Sequence, residues 1–125
     1  MARYPCEMFA QFYYSPELTY EELHQVEEEL MHKVDIIFTE DGGVHLEFWP
    51  DSDSFATQGQ FAEFGKSRFD HMARQISEML PDSVQARLLL VDKSGLEKVL
   101  IYSLTHENVE LEEITLPRPF ADEGV

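Results

Sequence analysis

Residues 34–49 read VDIIFTEDGGVHLEFW, and this stretch decides the predicted fold. Two runs of alternating residues, 34–39 and 44–49, flank the segment EDGG at residues 40–43. An Asp-Gly or Gly-Gly pair supplies the positive φ angles that a tight turn between two strands needs. The stretch therefore predicts a β-hairpin.

The two faces of this hairpin differ in chemistry. One face is entirely apolar and is predicted to lie in the core; it consists of Val34, Ile36, Phe38, Val44, Leu46 and Phe48. The other face mixes polar and apolar groups; it consists of Asp35, Ile37, Thr39, His45, Glu47 and Trp49. This second face is neither plainly core nor plainly solvent-exposed, so we expect any function of the hairpin to depend on it.

The elements before the hairpin are predicted from alternation and from a helix cap. Residues 7–14 alternate and are rich in aromatic side chains, which favours a strand. The sequence from Thr19 to Glu22 has the form of a capping box, in which a threonine and a glutamate satisfy each other's backbone N–H groups. It predicts a helix that ends at about residue 31 or 32.

The elements after the hairpin are a long helix and several strands. The helix is predicted to begin between residues 55 and 60 and to end before Pro81. The strands are predicted at residues 84–92, 98–104 and 109–116.

The order of these elements is β-α-β-β-α-β, followed by one or two strands. It predicts an α+β fold, namely a ferredoxin-like βαββαβ sandwich with one or two extra C-terminal antiparallel strands and both helices on one face of the sheet. We expect residues 1–125 to form a single domain, in which residues 117–125 are a mobile tail.

The charge of the chain excludes some partners and permits others. It has nine Lys and Arg residues against 25 Asp and Glu residues, which gives a formal net charge of −16. Binding to a phosphate backbone or to an anionic membrane depends on Lys and Arg, so we expect no nucleic acid and no membrane partner. A basic protein partner is compatible with this charge, and so is an acidic surface that serves only solubility.

The sequence predicts a cytoplasmic protein. The N-terminal residues contain no apolar signal-peptide core, and no apolar run approaches the roughly 18 residues that span a bilayer. Cys6 is the only cysteine, so an intrachain disulfide cannot form.

In the predicted sheet, one face lies opposite the helices and carries many apolar side chains. The apolar residues predicted there are Phe9, Ile37, Trp49, Leu89 and Val91. An exposed apolar patch of this kind usually marks an interface or a ligand groove. Since most soluble oligomers are symmetric, the simplest cover is a second copy of the sheet. The chain's own C-terminal strands are the alternative cover, and the sequence leaves both open.

The same face contains a candidate acid/base site. His45 and Glu47 are two residues apart on one predicted strand, so their side chains project together, and the predicted sheet brings Tyr13 and Arg87 near them. A carboxylate that orients a histidine is what general-base catalysis needs. The simpler interpretation is a polar pair that is satisfied within an apolar interface.

No catalytic or metal-binding motif supports the acid/base interpretation. The sequence lacks a glycine-rich phosphate loop, a nucleophile elbow, HExxH and CxxC, and we expect no cofactor and no metal. The leading hypothesis is therefore a non-enzymatic protein that acts by binding a protein partner, as a homodimer through the sheet face. The alternative is a small-molecule-binding domain or small enzyme with a pocket on the open sheet face at the subunit interface.

Overall fold

A computed structural model describes residues 4–93 and 98–117 of the chain. Its elements in chain order are β1 (Cys6–Tyr14), α1 (Tyr20–Glu40), β2 (Gly43–Pro50), β3 (Ser54–Phe61), α2 (Lys66–Met79), β4 (Val84–Asp92), β5 (Lys98–Thr105) and β6 (Asn108–Thr115). Within the described residues the six strands form one antiparallel sheet in the order β2-β3-β1-β4-β5-β6. The described chain is therefore α+β, with two helices and one open sheet.

Helix α1 begins where the sequence predicts. The Thr19 side chain accepts a hydrogen bond from the backbone N–H of Glu22 at 3.2 Å. The Glu22 carboxylate accepts one from the N–H of Thr19 at 3.1 Å. The predicted capping box is therefore confirmed, and it satisfies two N–H groups that the first turn of a helix cannot pair internally.

The predicted end of this helix and the predicted strand at residues 34–39 are both wrong. α1 continues to Glu40. Leu30, Val34 and Phe38 recur every four residues and are all buried, so they form one apolar stripe on a continuous helix. The segment that reads as the first strand of a hairpin is the last two turns of α1.

The glycine pair after α1 ends the helix rather than joining two strands. Gly42 has a φ of +88°. The backbone N–H groups of Asp41 and Gly42 donate back to the carbonyls of Ile37 and Thr39 at 3.2 and 3.1 Å. A left-handed glycine after the last helical turn is a common helix terminus. The chain enters β2 directly at Gly43, so the turn marks a helix–strand junction.

The second helix begins later than predicted. Residues Ser54–Phe61 form β3, which pairs with β2 on one side and with β1 on the other. The predicted helical start between residues 55 and 60 is wrong, because this segment alternates buried and half-buried side chains as a strand does. α2 spans Lys66–Met79 and ends before Pro81, as predicted.

Strands β1, β4, β5 and β6 lie within one residue of their predicted bounds. The ferredoxin-like arrangement is not confirmed in the form predicted, since the second and third strands and both helices span other residues than those predicted. The coarser prediction of an α+β fold with an antiparallel sheet is confirmed. The predicted mobile tail lies, apart from Pro117, outside the described residues.

The core lies between the two helices and one face of the sheet. On β1 the buried residues are Cys6, Met8, Ala10, Phe12 and Tyr14. The helices cover them with Leu30, Val34, Phe38, Phe69, Met72 and Ile76. Because side chains alternate along a strand, the odd-numbered residues of β1 point to the opposite face. Neither helix in the described part of the chain is long and apolar enough to cross a membrane.

Candidate functional site on the open sheet face

We call the face of the sheet opposite the helices the open face. It consists of the odd-numbered residues of β1 and of the residues that stand in register with them on the other five strands. Buried side chains of both helices belong to the core cluster on the other face of the sheet. Within the described residues, the open face therefore has no covering layer.

The middle of the open face is apolar. Phe9 on β1 pairs with Leu89 on β4, and Leu89 pairs with Ile101 on β5. In the next row, Val91 on β4 pairs with Val99 on β5. Directly opposed residues on one face have Cβ atoms about 4.5–5.5 Å apart, so these five side chains form one continuous patch.

Three large aromatic side chains on the open face are exposed to solvent. Phe9 is 41% exposed, Tyr13 44% and Trp49 47%. Because each is already more than half buried, covering it would contribute less than the roughly 1.5–3 kcal/mol of a fully exposed apolar side chain. Apolar groups of this size on one face are typical of a surface that binds another molecule.

Carboxylates lie at both ends of the central apolar row. From Phe9 the row continues through Gln58 on β3 to Glu47 on β2. In the other direction it runs from Ile101 to Glu112 on β6. The open face thus has an apolar middle and a charged rim, which is the usual anatomy of a protein interface.

Polar side chains on the open face bond to one another. The Tyr13 hydroxyl donates to the side-chain carbonyl of Gln11 at 2.9 Å. The Gln58 side-chain amide donates to the Glu7 carboxylate, whose other oxygen lies 3.5 Å from the Lys93 ammonium. Since these groups already have partners, a protein that covers the face removes fewer unpaired polar groups from water.

Four of the five residues predicted to form an interface lie on the open face, namely Phe9, Trp49, Leu89 and Val91. The placement of Ile37 is corrected: it is half-buried on α1 and packs against the core. The physical reason is that Ile37 follows Val34 by three residues on a helix, which places both on the stripe that faces the sheet.

The candidate pair His45 and Glu47 lies in an irregular part of β2. Val44 pairs with Gln60 and Glu47 pairs with Gln58, so three steps along β2 span two steps along β3. His45 has a φ of +56° within this bulge. A bulge inserts one residue and interrupts the alternation that would project the two side chains together.

The structure does not bring His45 together with Tyr13 and Arg87. The His45 ring contacts the Tyr4 ring edge to face, with 5.4 Å between centroids, just before β1 begins at Cys6. Tyr13 lies near the other end of β1, roughly 23 Å from Cys6 at about 3.3 Å per residue. The four candidate residues therefore occupy two separate places on the sheet.

Tyr13 and Arg87 do share a hollow on the open face. Its volume is about 300 Å³, and its polar lining consists of Tyr13, Gln85, Arg87, Ser103, Thr105, Asn108 and Glu110. The hydroxyl and amide groups and the one guanidinium can orient a small polar ligand. The described lining holds no histidine, the side chain whose ordinary pKa suits proton transfer near neutral pH.

Some residues of the open face were missed by sequence reasoning. They are Val99, Ile101, Glu110, Glu112 and Ile114 on β5 and β6. Residues 98–104 contain the signal, since each face of this strand carries apolar side chains, Val99 and Ile101 on one and Leu100 and Leu104 on the other. Which side faces the helices depends on the register with β4, and the sequence does not give that register.

A second group of titratable side chains lies where α1 meets the start of α2. Asp41 shares a cavity of about 600 Å³ with Glu63, Arg68 and His71. Burial raises the pKa of Asp41, while the neighbouring His71 and Arg68 lower it in part. One Asp41 carboxylate oxygen is buried without a hydrogen-bond partner among the described residues. This group lies where the end of α1 approaches the start of α2.

In the described part of the chain, no three or more His, Cys, Asp or Glu side chains are placed to hold a metal ion. Comparison with protein-family models, curated proteins and solved structures gives no significant match. The open face and the hollow beside Tyr13 must therefore be interpreted from their own geometry.

Proposed function

We propose that this chain is a non-enzymatic protein-binding domain whose open face is covered by a second copy of the same chain. The observation that carries the proposal is the joint exposure of Phe9, Tyr13 and Trp49, at 41%, 44% and 47%, on a sheet face without a covering layer in the described residues. A second copy removes these rings from water and leaves the core of each protomer unchanged.

The size of the open face fits a stable dimer. Six strands at about 4.8 Å spacing and about 3.3 Å per residue along eight-residue strands give a face of roughly 760 Å². A standard protein–protein interface buries about 800 Å² on each partner. The whole face, rather than one corner of it, is the area that a second copy would cover.

The arrangement of the face also suits self-association. A two-fold axis packs the same patch of both copies together, so the row Phe9, Leu89 and Ile101 would meet its own equivalent. Glu47 and Glu112 lie at the two ends of that row. Their carboxylates would stay hydrated at the rim, where like charges are screened by salt.

Sedimentation equilibrium tests this proposal with two matched variants. Phe9→Glu places a charge at the centre of the open face, and Ile36→Glu places one at a similarly exposed position, 43%, on α1. We expect a dimer for the wild type and for Ile36→Glu, and a monomer for Phe9→Glu. A monomeric wild type, or a dimer that survives Phe9→Glu, would contradict the proposal.

Three finer statements belong to the same proposal. The chain binds a basic protein partner, which its net charge of −16 supports. It is cytoplasmic, which the single cysteine supports, since Cys6 is buried as a free thiol. Its first four strands and two helices are of the ferredoxin-like class, which the βαββαβ element order and the neighbour order β2-β3-β1-β4 support.

A second candidate function is the binding of a small carboxylate in the hollow beside Tyr13. The Arg87 guanidinium within the 300 Å³ hollow favours it. Succinate serves as the probe in a thermal-shift titration of the wild type, Arg87→Gln and the control Arg74→Gln on α2. A shift that only Arg87→Gln abolishes supports this function, and no shift in the wild type rules it out for this ligand class.

A further inference from the structure

Strand β6 has one edge that is free among the described residues. Its other edge pairs with β5 from Asn108 opposite Thr105 to Thr115 opposite Lys98. β6 is the terminal strand in the sheet order, so its outward N–H and C=O groups have no strand partner in the described chain. Such an edge can accept an extended segment of another chain as an additional strand.

A groove runs beside this free edge on the helix side of the sheet. Its volume is about 890 Å³, with β6 on one side and α2 on the other. The α2 wall is polar and carries Lys66, Asp70, Arg74, Ser77 and Glu78. β6 contributes Val109 and Leu111 to the groove, and Leu111 is 36% exposed. A segment added to the edge would direct every second side chain into this groove.

Two hydrogen bonds hold the walls of the groove. The Tyr102 hydroxyl on β5 donates to the Asp70 carboxylate on α2 at 2.5 Å. The Ser77 hydroxyl on α2 donates to the Thr105 carbonyl at the end of β5 at 2.6 Å. The helix is thus tied to β5 at both ends of the groove, and a preformed groove lowers the ordering cost of binding.

Charge on β6 selects the kind of segment that fits. Glu110 and Glu112 lie on the open face and are exposed. Glu113 is also exposed and lies on the helix side of the sheet. If β6 of a second copy paired with this edge, it would bring glutamates against glutamates, and directly opposed like charges are destabilising. Lysine or arginine at alternate positions of an incoming strand would instead face Glu110 and Glu112 as opposite charges.

We propose that the free edge of β6 binds an extended segment of a basic partner protein as a seventh strand. Its Lys or Arg side chains pair with Glu110 and Glu112, and the apolar side chains between them lie over Val109 and Leu111 in the groove. This inference rests on the protein-binding function proposed above and names the partner class. The backbone edge of β6 and the groove lie outside the open face, and Glu110 and Glu112 lie at its margin. Loss of the dimer in Phe9→Glu and loss of peptide binding on N-methylation are therefore separate readouts, and either proposal can fail while the other holds.

A peptide titration tests this inference. The probe is a fluorescein-labelled nine-residue peptide that alternates lysine with valine, titrated with the full chain at about 0.15 M ionic strength, where the Debye length is about 8 Å. The control peptide has the same sequence with N-methyl groups on alternate backbone amides, which removes strand hydrogen bonds and keeps the charge. We expect the control to bind at least about tenfold more weakly, a difference of about 1.4 kcal/mol.

Two charge-matched double variants complete the test. Glu110→Lys with Glu112→Lys reverses the charge of the β6 edge, and Glu28→Lys with Glu29→Lys reverses the charge of two glutamates on α1 that are also exposed. We expect the first to weaken the peptide by about tenfold or more and the second by less than about twofold.

Equal weakening by both double variants would show non-specific charge attraction and overturn the inference. Equal binding of the N-methylated peptide would overturn it as well, since no strand is then added. Absence of peptide binding to the wild type would also overturn the inference. If the β6 double variant then forms larger oligomers than the wild type, the glutamates serve only to keep this edge from pairing with other copies.

Discussion

The ring of Phe38 lies directly against the backbone of Gly59. A Cβ atom placed on Gly59 would be 2.1 Å from the Cζ atom of Phe38, and one placed on Gly43 would be 2.1 Å from its Cε1 atom. Two glycines on neighbouring strands thus leave the space that the Phe38 ring, from the last turn of α1, occupies. This contact fixes where the helix meets the sheet.

We predict that Gly59→Ala destabilises the protein by about 1–3 kcal/mol, because an added methyl group overlaps a ring that is fully buried. Urea unfolding measures the change. In a Phe38→Ala background the same substitution should cost much less, since the ring is gone and the two changes share one contact. Equal costs in both backgrounds would contradict the contact.

The Tyr14 hydroxyl donates to the Glu27 carboxylate at 2.8 Å, and both residues are buried. We predict that Tyr14→Phe lowers the free energy of unfolding by about 1–3 kcal/mol, because it leaves a buried acceptor without its donor. The control is Tyr13→Phe, whose hydroxyl bonds to Gln11 at an exposed position. Denaturant unfolding should show almost no change in the free energy of unfolding for this control. An equal loss of stability in both variants would contradict a special contribution of the buried Tyr14 hydroxyl.

The stability should fall at alkaline pH. Burial, together with hydrogen bonds to Glu27 and Asp70, raises the pKa values of Tyr14 and Tyr102 above the ordinary value of 10.0. The unfolded chain then releases these protons first, so their contribution is complete below pH 10 and is lost as the pH rises above it.

Melting temperature measured as a function of pH checks this sign. We expect Tyr102→Phe to flatten the decline above pH 10, and the exposed Tyr20→Phe to leave it as in the wild type. An identical slope for wild type and Tyr102→Phe would show that this tyrosine does not contribute.

The Cys6 thiol should be unreactive in the folded protein. Burial, with a further contribution from the Asp92 charge, raises its pKa to about 12, and the side chain is inaccessible to solvent. The thiolate is the reactive form of cysteine, so we expect negligible labelling by Ellman's reagent until the chain is unfolded in guanidinium. Rapid labelling under native conditions would contradict the burial of β1.

The sequence predicts the elements whose signals are local. The capping box at Thr19 fixes the start of α1, and alternation fixes β1, β4 and β5. β6 alternates less well, and its sequence predicts an exposed edge strand. Residues 34–39 could not be assigned in this way, because Val34 and Phe38 recur with both the strand and the helix period. The helix prevails because the Phe38 ring packs against Gly43, which follows α1 directly, and against Gly59, which lies on another strand far along the chain.

The open face can also be predicted in outline, because its sequence signal is local. Phe9, Leu89 and Trp49 alternate with core residues on their strands, so their common face follows from the strand period. The separation of His45 from Tyr13 follows from the register of β2 and from one inserted residue in it. Neither the register of β2 nor the inserted residue has a local sequence signal.

The most direct test of the proposed dimer uses Trp49, the only tryptophan of the chain. Trp49 lies on the open face, two strands away from Phe9. Quenching of its fluorescence by acrylamide is compared at one high protein concentration for the wild type, Phe9→Glu and Ile36→Glu. If the open face is covered by a second copy, the wild type and Ile36→Glu should protect Trp49 and Phe9→Glu should expose it. Equal, unprotected quenching in all three would show that this face stays in water and would contradict the account.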